Sequence, residues 1–253
     1  MSSTNRKIRT GTDTYYTPAY CTHRIIEALP QLPGGVWCDA GAGNGEILKA
    51  VKSLRDDIVW VAIELREECE ESLEAAATVV HIGDFLEVTP QLHRRLLSRV
   101  SHLPKYSVLV MNPPFRIAFE FLQKALEIAD YVVMLQRINF LGSRERSDFF
   151  RADPPDLYVL PDRPSFTGGQ GDSIEYGWFV FGPERSRRQG ALQILAKTPI
   201  EERGGRRVSK RSADESAALP EASTTVPEEV ARLAEMEASA DEEHRERADW
   251  NES

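Results

Sequence analysis

Gly35-Val36-Trp37-Cys38-Asp39-Ala40-Gly41-Ala42-Gly43-Asn44-Gly45-Glu46 decides how this chain is read. A short apolar run stops at an acid and turns through three glycines. The stretch after it, Glu46–Leu54, has helical spacing. The glycines allow a tight turn and a close approach of backbone to a ligand. The amides that open the next helix can receive an anion. A dinucleotide-binding loop would carry a third Gly of the pattern GxGxxG at position 46, where this chain has Glu46. Asp39 before the first glycine would repel a pyrophosphate and accept from an amine. The loop therefore suits an amino-acid moiety with a cationic α-amino group better than a dinucleotide.

Outward from this loop, strands alternate with helices. Upstream, Thr17-Pro18 starts a helix that buries Ile25, Ile26 and Leu29 and ends at Pro30. Downstream, Ile58–Leu65 is a strand ending at Glu64-Leu65, Cys69–Ala77 a helix, and Val79–Ile82 a strand ending at Gly83-Asp84. A helix over Gln91–Ser98 precedes strand Ser107–Met111, and helix Phe119–Ala129 precedes strand Tyr131–Leu135. Leu157–Leu160 and Ile174–Phe181 are two further strands. Continuous apolar strands separated by helices predict an α/β fold with a mainly parallel sheet covered on both faces. Ligand sites in such sheets lie at the carboxyl ends of the strands. Asp39, Glu64, Asp84 and Asn112 all fall there. Glu64 is placed to hold a ribose diol, and Asp84 an adenine amino group with the Phe85 ring on the base.

Asn112-Pro113-Pro114-Phe115 follows the fourth strand at once. Each proline fixes φ and lacks an N–H, which stiffens the loop and ends the ladder. Asn112 adds a side-chain acceptor, the turn adds carbonyls, and Phe115 adds an aromatic face. The set suits a planar group that carries an NH2.

Composition narrows the classes. The chain has 253 residues and a net charge of −9, which argues against a uniformly basic coat but leaves room for local basic patches. It holds no apolar run of about 18 residues, so no membrane span is expected. The N-terminus MSSTNRKIRTGTDTYY lacks the apolar core of a secretory signal. Cys21, Cys38 and Cys69 form no CxxC pair, so neither a disulfide framework nor a thiolate metal site is expected, and a reducing cytoplasmic setting fits. Glu184–Arg211 holds nine basic and three acidic residues, and Ser212–Ser253 three basic and thirteen acidic. Residues 201–225 are poor in large apolar groups and are expected to be disordered. A short helix over 226–240 has Thr225 as cap and Pro227, Glu228 and Glu229 in its first turn.

The ordered motifs resemble those of class I S-adenosylmethionine-dependent methyltransferases, in particular the adenine-N6 DNA methyltransferases. The glycine motif matches Asp39-Ala40-Gly41-Ala42-Gly43-Asn44-Gly45, the acidic motif Glu64, the third motif Asp84-Phe85, and the catalytic motif Asn112-Pro113-Pro114-Phe115. Tyr15-Tyr16-Thr17-Pro18 resembles the segment that closes over the methionine end of the cofactor, and its upstream place is the gamma-type motif order. Arg163-Pro164-Ser165-Phe166, Asp172 and Glu175-Tyr176-Gly177-Trp178-Phe179 resemble the ending of phage and prophage adenine methylases.

The resemblance implies a doubly wound, mostly parallel seven-stranded sheet of the Rossmann-like methyltransferase type. With the charge pattern, it divides the chain into a flexible 1–11, a methyltransferase domain over 12–183, a basic linker over 184–211, and an acidic, mostly disordered tail over 212–253. It implies S-adenosyl-L-methionine as cofactor, held by Tyr16, Thr17, Pro18, Asp39, Ala40, Gly41, Gly43, Gly45, Glu64, Leu65, Asp84, Phe85 and Asn112. The implied substrate is an adenine in DNA, flipped or single-stranded, with transfer to its N6 amine. Asn112 and the Pro113 carbonyl would accept the amine's hydrogens, Pro114 would stiffen the turn, Phe115 would stack on the base, and Phe166 would cover its other face. No metal is implied.

The large recognition domain usual in gamma-type enzymes has no counterpart in the roughly 70 residues after the last strand. Readout is expected from the loop Gln136–Arg151, whose Arg137, Arg144, Arg146 and Arg151 can meet phosphates, or from a protein partner. The run through Arg188, Arg206, Arg207, Lys210 and Arg211 would add salt-dependent attraction, for which the acidic tail would compete. RNA adenine-N6 methylation is the first alternative, followed by protein glutamine methylation and a noncatalytic nucleic-acid-binding subunit. Small-molecule amine methylation is weaker still. Cytosine carbon-5 methylation is disfavoured, because the chain has no Pro-Cys dipeptide.

Overall fold

The structure is a computed structural model that describes residues 16–166, 173–183, 190–199 and 202. The chain divides into two compact units, Met1–Arg206 and Arg207–Ser253, and the described residues all belong to the first. The flexible N-terminus over 1–11, Tyr15, Asp172, the basic residues Arg188, Arg206, Arg207, Lys210 and Arg211, the acidic tail and its helix over 226–240 lie outside the described residues.

Among the described residues eight strands form one sheet, β1 (Gly35–Ala40), β2 (Ile58–Glu64), β3 (Val79–Ile82), β4 (Tyr106–Met111), β5 (Ala129–Arg137), β6 (Asp156–Val159), β7 (Tyr176–Phe181) and β8 (Leu192–Ile194). Their order is β3-β2-β1-β4-β5-β7-β6-β8. Strands β3 to β5 pair in parallel. β7 is antiparallel to both its neighbours, and β8 runs parallel to β6. Of the described strands only β7 is therefore reversed. The sheet is the doubly wound, mostly parallel one that the sequence implied, with one strand more than the expected seven.

That extra strand, β8, lies in the stretch read as a basic linker. Its side chains Leu192 and Ile194 are exposed, so alternation gave no sign of it. Non-local bonds hold it at the edge. Leu157 N–H donates to the Ala191 carbonyl at 2.7 Å and Leu195 N–H to the Val159 carbonyl at 2.9 Å. The Asp156 carboxylate accepts from Ala191 N–H at 2.8 Å.

The helices are α1 (Ala19–Ala28), α2 (Glu46–Lys52), α3 (Glu70–Glu74), α4 (Pro90–Leu97), α5 (Ala118–Ile128) and α6 (Ser147–Ala152). Local chemistry sets their ends. Thr89 Oγ1 accepts from Leu92 N–H at 3.2 Å and Pro90 opens α4, the favoured arrangement for a first turn. The period-2 alternation of strand side chains divides the core into two layers. Trp37, Val110, Val133, Leu135, Trp178 and Val180 pack with Ile25 of α1 and Leu48 of α2. Cys38, Ala40, Leu109, Met111, Val132 and Met134 pack with Leu97 of α4 and Leu122 of α5 on the other face. Trp178 Nε1 donates to the Cys21 carbonyl at 3.0 Å and ties α1 to β7. The three cysteines are free and buried, and burial pushes the Cys21 thiol up to about 12. No helix among the described residues is long and apolar enough to cross a membrane.

The segment over 136–151 is more ordered than the expected loop. β5 continues through Arg137, a 3-10 turn covers Ile138–Leu141, and α6 follows. Phe140 and Phe150, packed edge to face at 5.5 Å, anchor it to the core.

Candidate active site

The strand ends β1, β2 and β4 carry the candidate site. β1 pairs with β2 through Ala40↔Ile63 and with β4 through Asp39↔Val110. This register brings the glycine loop, the Glu64 end and the Asn112 turn to one edge of the sheet, as expected for a doubly wound fold.

The loop Gly41–Gly45 turns from β1 into α2. Gly43 has φ +56° and Gly45 φ +80°, conformations that favour glycine. A Cβ at Gly45 would stand only 3.2 Å from Leu73 Cδ2. The loop is held from β2: Gly41 and Ala42 N–H both donate to the Ile63 carbonyl, at 2.8 and 3.1 Å. Gly43 N–H donates to Glu64 Oε2 at 2.7 Å.

Asp39 lies wholly buried at the end of β1, and among the described residues neither carboxylate oxygen makes a well-formed hydrogen bond. Burial, and then the negative Glu64, push its pKa up to about 8, against a weaker opposing pull from the Leu48 backbone. An unpartnered buried carboxyl is costly and calls for an explanation. A cation brought to the glycine loop would supply one. The residues present thus fit an amino-acid ligand with a cationic α-amino group.

Glu64 is less free than the sequence suggested. Its Oε1 accepts from Arg66 Nε at 2.9 Å and from Arg66 N–H at 3.1 Å, while Gly43 takes Oε2. A Cβ on Gly43 would lie 3.5 Å from the Arg66 guanidinium. A ribose diol at Glu64 must share the carboxylate with Arg66. Leu65, next in the chain, is exposed at 57%.

Asp84 Oδ1 accepts from Leu86 N–H at 2.8 Å and caps a short 3-10 turn, which leaves Oδ2 without a hydrogen-bond partner among the described residues. Phe85 corrects the reading of a ring laid on a bound base. It is buried and packs on Phe121 with ring centroids 4.9 Å apart. The turn points it into the layer between sheet and α5. Phe85→Ala is therefore expected to destabilise the fold by about 3–5 kcal/mol, which chemical denaturation would measure. A ring serving only a ligand would cost little stability.

At β4, Asn112 Nδ2 donates to Thr17 Oγ1 at 3.0 Å. Thr17 is buried, just before α1, whereas Tyr16 is 40% exposed. Pro18 forms the cap position of α1 and its carbonyl accepts from Cys21 N–H at 3.0 Å. The Thr17 bond orients the Asn112 amide, leaving Oδ1 without a partner among the described residues. The Pro113 carbonyl accepts from Gln136 Nε2 at 3.3 Å, using one of its two lone pairs. Pro114 is exposed, and a 3-10 turn over Phe115–Ile117 leads into α5.

The aromatic set differs from the expected pair of facing rings. Phe115 and Phe166 both lie against the buried Tyr176, with centroids 5.9 and 5.1 Å away. The Arg137 guanidinium lies over the Phe115 ring, 4.1 Å from its centroid. Arg146 is not a free phosphate contact either. Its Nε donates to the Phe140 carbonyl at 3.0 Å and its guanidinium lies over the Phe140 ring. Arg144, like Arg116 beside the Asn112 turn, is exposed.

Arg66 and Gln136 carry no site reading from the sequence, Arg137 carries one only as a phosphate contact of a loop, and Tyr176 one only through the resemblance. Gln136 left one signal, a polar side chain at the end of an apolar strand. Among the described residues no group of three His, Cys, Asp or Glu is placed to hold a metal ion.

No protein-family model matches the chain, and no curated protein matches it. Solved structures do. An RNA methyltransferase candidate from Pyrococcus horikoshii is 21% identical, with a TM-score of 0.50, over 66% of this chain and 84% of that one. An O-methyltransferase assigned by inference, from Agrobacterium tumefaciens, is 15% identical with a TM-score of 0.48, over 81% and 92% of the two chains. The modification subunit of a candidate type I restriction enzyme from Vibrio vulnificus is 15% identical with a TM-score of 0.47, over 70% and 45%. At the first of these identities the likeness is one of fold, and it places the sheet among the Rossmann-like folds that class I methyltransferases use.

Proposed function

We propose that the protein is an S-adenosylmethionine-dependent methyltransferase that modifies the N6 amine of adenine in DNA. One observation supports this reading above the others. Asn112 Nδ2 donates to Thr17 Oγ1, which turns the amide oxygen to the free side, next in the chain to the Pro113 carbonyl. Two acceptors on a rigid turn answer the two hydrogens of a planar NH2.

The cofactor's α-amino group would meet Asp39, its methionine end the loop Gly41–Gly45, and its ribose Glu64. When bound, it supplies an electrophilic methyl on sulfur. The chain's own groups act on the amine. Asn112 Oδ1 and the Pro113 carbonyl draw its hydrogens, turn its lone pair out of the ring and stabilise the positive charge that grows on nitrogen. Gln136 fixes the Pro113 carbonyl from behind. Positioning supplies much of the rate. No side-chain base is required, because the methylated ammonium is acidic enough to lose its proton to water. The base must be unpaired or flipped to reach this edge.

Thr17→Val removes the acceptor at nearly constant volume and frees the Asn112 amide to turn over. Loss of this single hydrogen bond is expected to slow methyl transfer about tenfold, as read from single-turnover rates at saturating cofactor. The function itself is tested by transfer of labelled methyl to single-stranded DNA, duplex DNA and RNA, followed by nucleoside analysis. N6-methyldeoxyadenosine is the expected product. Label only in RNA adenosine would move the substrate to RNA, and no labelled nucleoside would overturn the reading.

A further inference from the structure

The guanidinium on Phe115 stands where a target base is expected to stack. Arg137 is the last residue of β5 and pairs across the sheet with Tyr176, the first of β7. Its Nε donates to Tyr176 Oη at 3.2 Å, and its planar head lies 4.1 Å from the Phe115 centroid. No carboxylate among the described residues pairs with it, whereas Arg24, Arg55, Arg66 and Arg163 each have one. Arg137 is partly buried. A cation held against an aromatic ring with one neutral acceptor is attracted by the ring face, yet its charge is left unspent. A flat group that bears NH2 ends and covers that face imitates a purine in shape.

Resting on the reading of Phe115 as the base platform, we propose that Arg137 fills the seat of the target base in the free protein. The incoming nucleotide displaces the guanidinium, which then holds a phosphate of that same nucleotide. The displaced head is well suited to this, since a planar guanidinium binds phosphate in a forked geometry. Arg137 would thus be a positioning residue with two opposed effects. It would lower affinity for a base presented alone and raise affinity for a base presented on its phosphate backbone. An enzyme built this way would discriminate against free nucleosides.

The test uses 2-aminopurine riboside and a single-stranded oligonucleotide containing 2-aminopurine, with fluorescence quenching as the readout on the full chain. Arg137→Ala should bind the riboside about three- to tenfold more tightly, the factor that a contact of this kind supplies, and should bind the oligonucleotide more weakly. Arg137→Lys, which keeps the charge without the flat head, should gain riboside affinity and hold the oligonucleotide. Tyr176→Phe, which removes the Nε acceptor and keeps the ring, should give a smaller riboside gain. A structural role alone would weaken both ligands together. Unchanged or weaker riboside binding in all three variants, with purine binding intact in the wild type, overturns the plug and leaves the proposed function standing. Absence of purine binding in the wild type overturns both. A riboside gain without oligonucleotide loss overturns the phosphate contact.

Discussion

Asn112→Ala should lower methyl transfer by about a hundredfold to a thousandfold, the range lost when one preorganised partner of a transition-state charge is removed. The rate at saturating cofactor should fall whether or not cofactor affinity changes, because the proposed reading gives Asn112 the amine as well as a place beside the cofactor. The alanine removes the Oδ1 acceptor, which is free among the described residues, and also the Nδ2 donor to Thr17. Asn112→Asp helps to separate the two effects, since it keeps an acceptor and loses that donor while adding a negative charge. Its rate should fall much less than that of the alanine variant. Single-turnover transfer with saturating cofactor is the measurement. Full activity in Asn112→Ala would remove the amine grip from the mechanism.

Asp39→Asn should weaken cofactor binding by about a hundredfold or more, the scale of leaving a buried charge without its partner. The pH dependence is equally diagnostic. In the free protein Asp39 has a pKa of about 8 against an ordinary 3.8, so at pH 7 it is mostly protonated. A folded pKa above the unfolded one favours folding in the protonated form. That contribution is present below pH 4 and is lost as pH rises through about 8. The free protein should therefore lose stability across this window, and Asp39→Asn should flatten the loss. A cationic α-amino group favours the carboxylate, so binding near pH 7 should release a proton from Asp39. Affinity should rise by up to about tenfold per pH unit until pH approaches 8. Calorimetry at pH 7 in buffers of different ionisation enthalpy would show proton release in the wild type and none in Asp39→Asn. Equal heats in all buffers would contradict the assignment.

Much of the fold and part of the site were legible in the residues, for identifiable reasons. The strands up to β5 announced themselves because both faces are covered, which forces continuous apolar runs such as Val108–Met111. Asp39 and Asn112 stood out as polar groups at the ends of such runs. β8 stayed hidden because its pairing to β6 is non-local and its side chains are exposed. Phe85 was misread because a 3-10 turn, whose phase the sequence does not reveal, decides which way its ring faces. Arg146 and Arg137 looked like solvent-facing cations of a loop, and only the fold brings each onto an aromatic ring. The bond from Thr17 to Asn112 spans 95 positions and has no local signature.

The central claim is that the Asn112–Pro113 turn grips an aromatic amine beside a sulfonium donor held at the glycine loop. A crystal structure with S-adenosylhomocysteine and an adenine-containing oligonucleotide tests it most directly. The account predicts the adenine N6 within hydrogen-bonding distance of both Asn112 Oδ1 and the Pro113 carbonyl, with the amino-acid end of the cofactor product on Asp39. An adenine seated elsewhere, with the Asn112 turn closed under its own side chains, would contradict it.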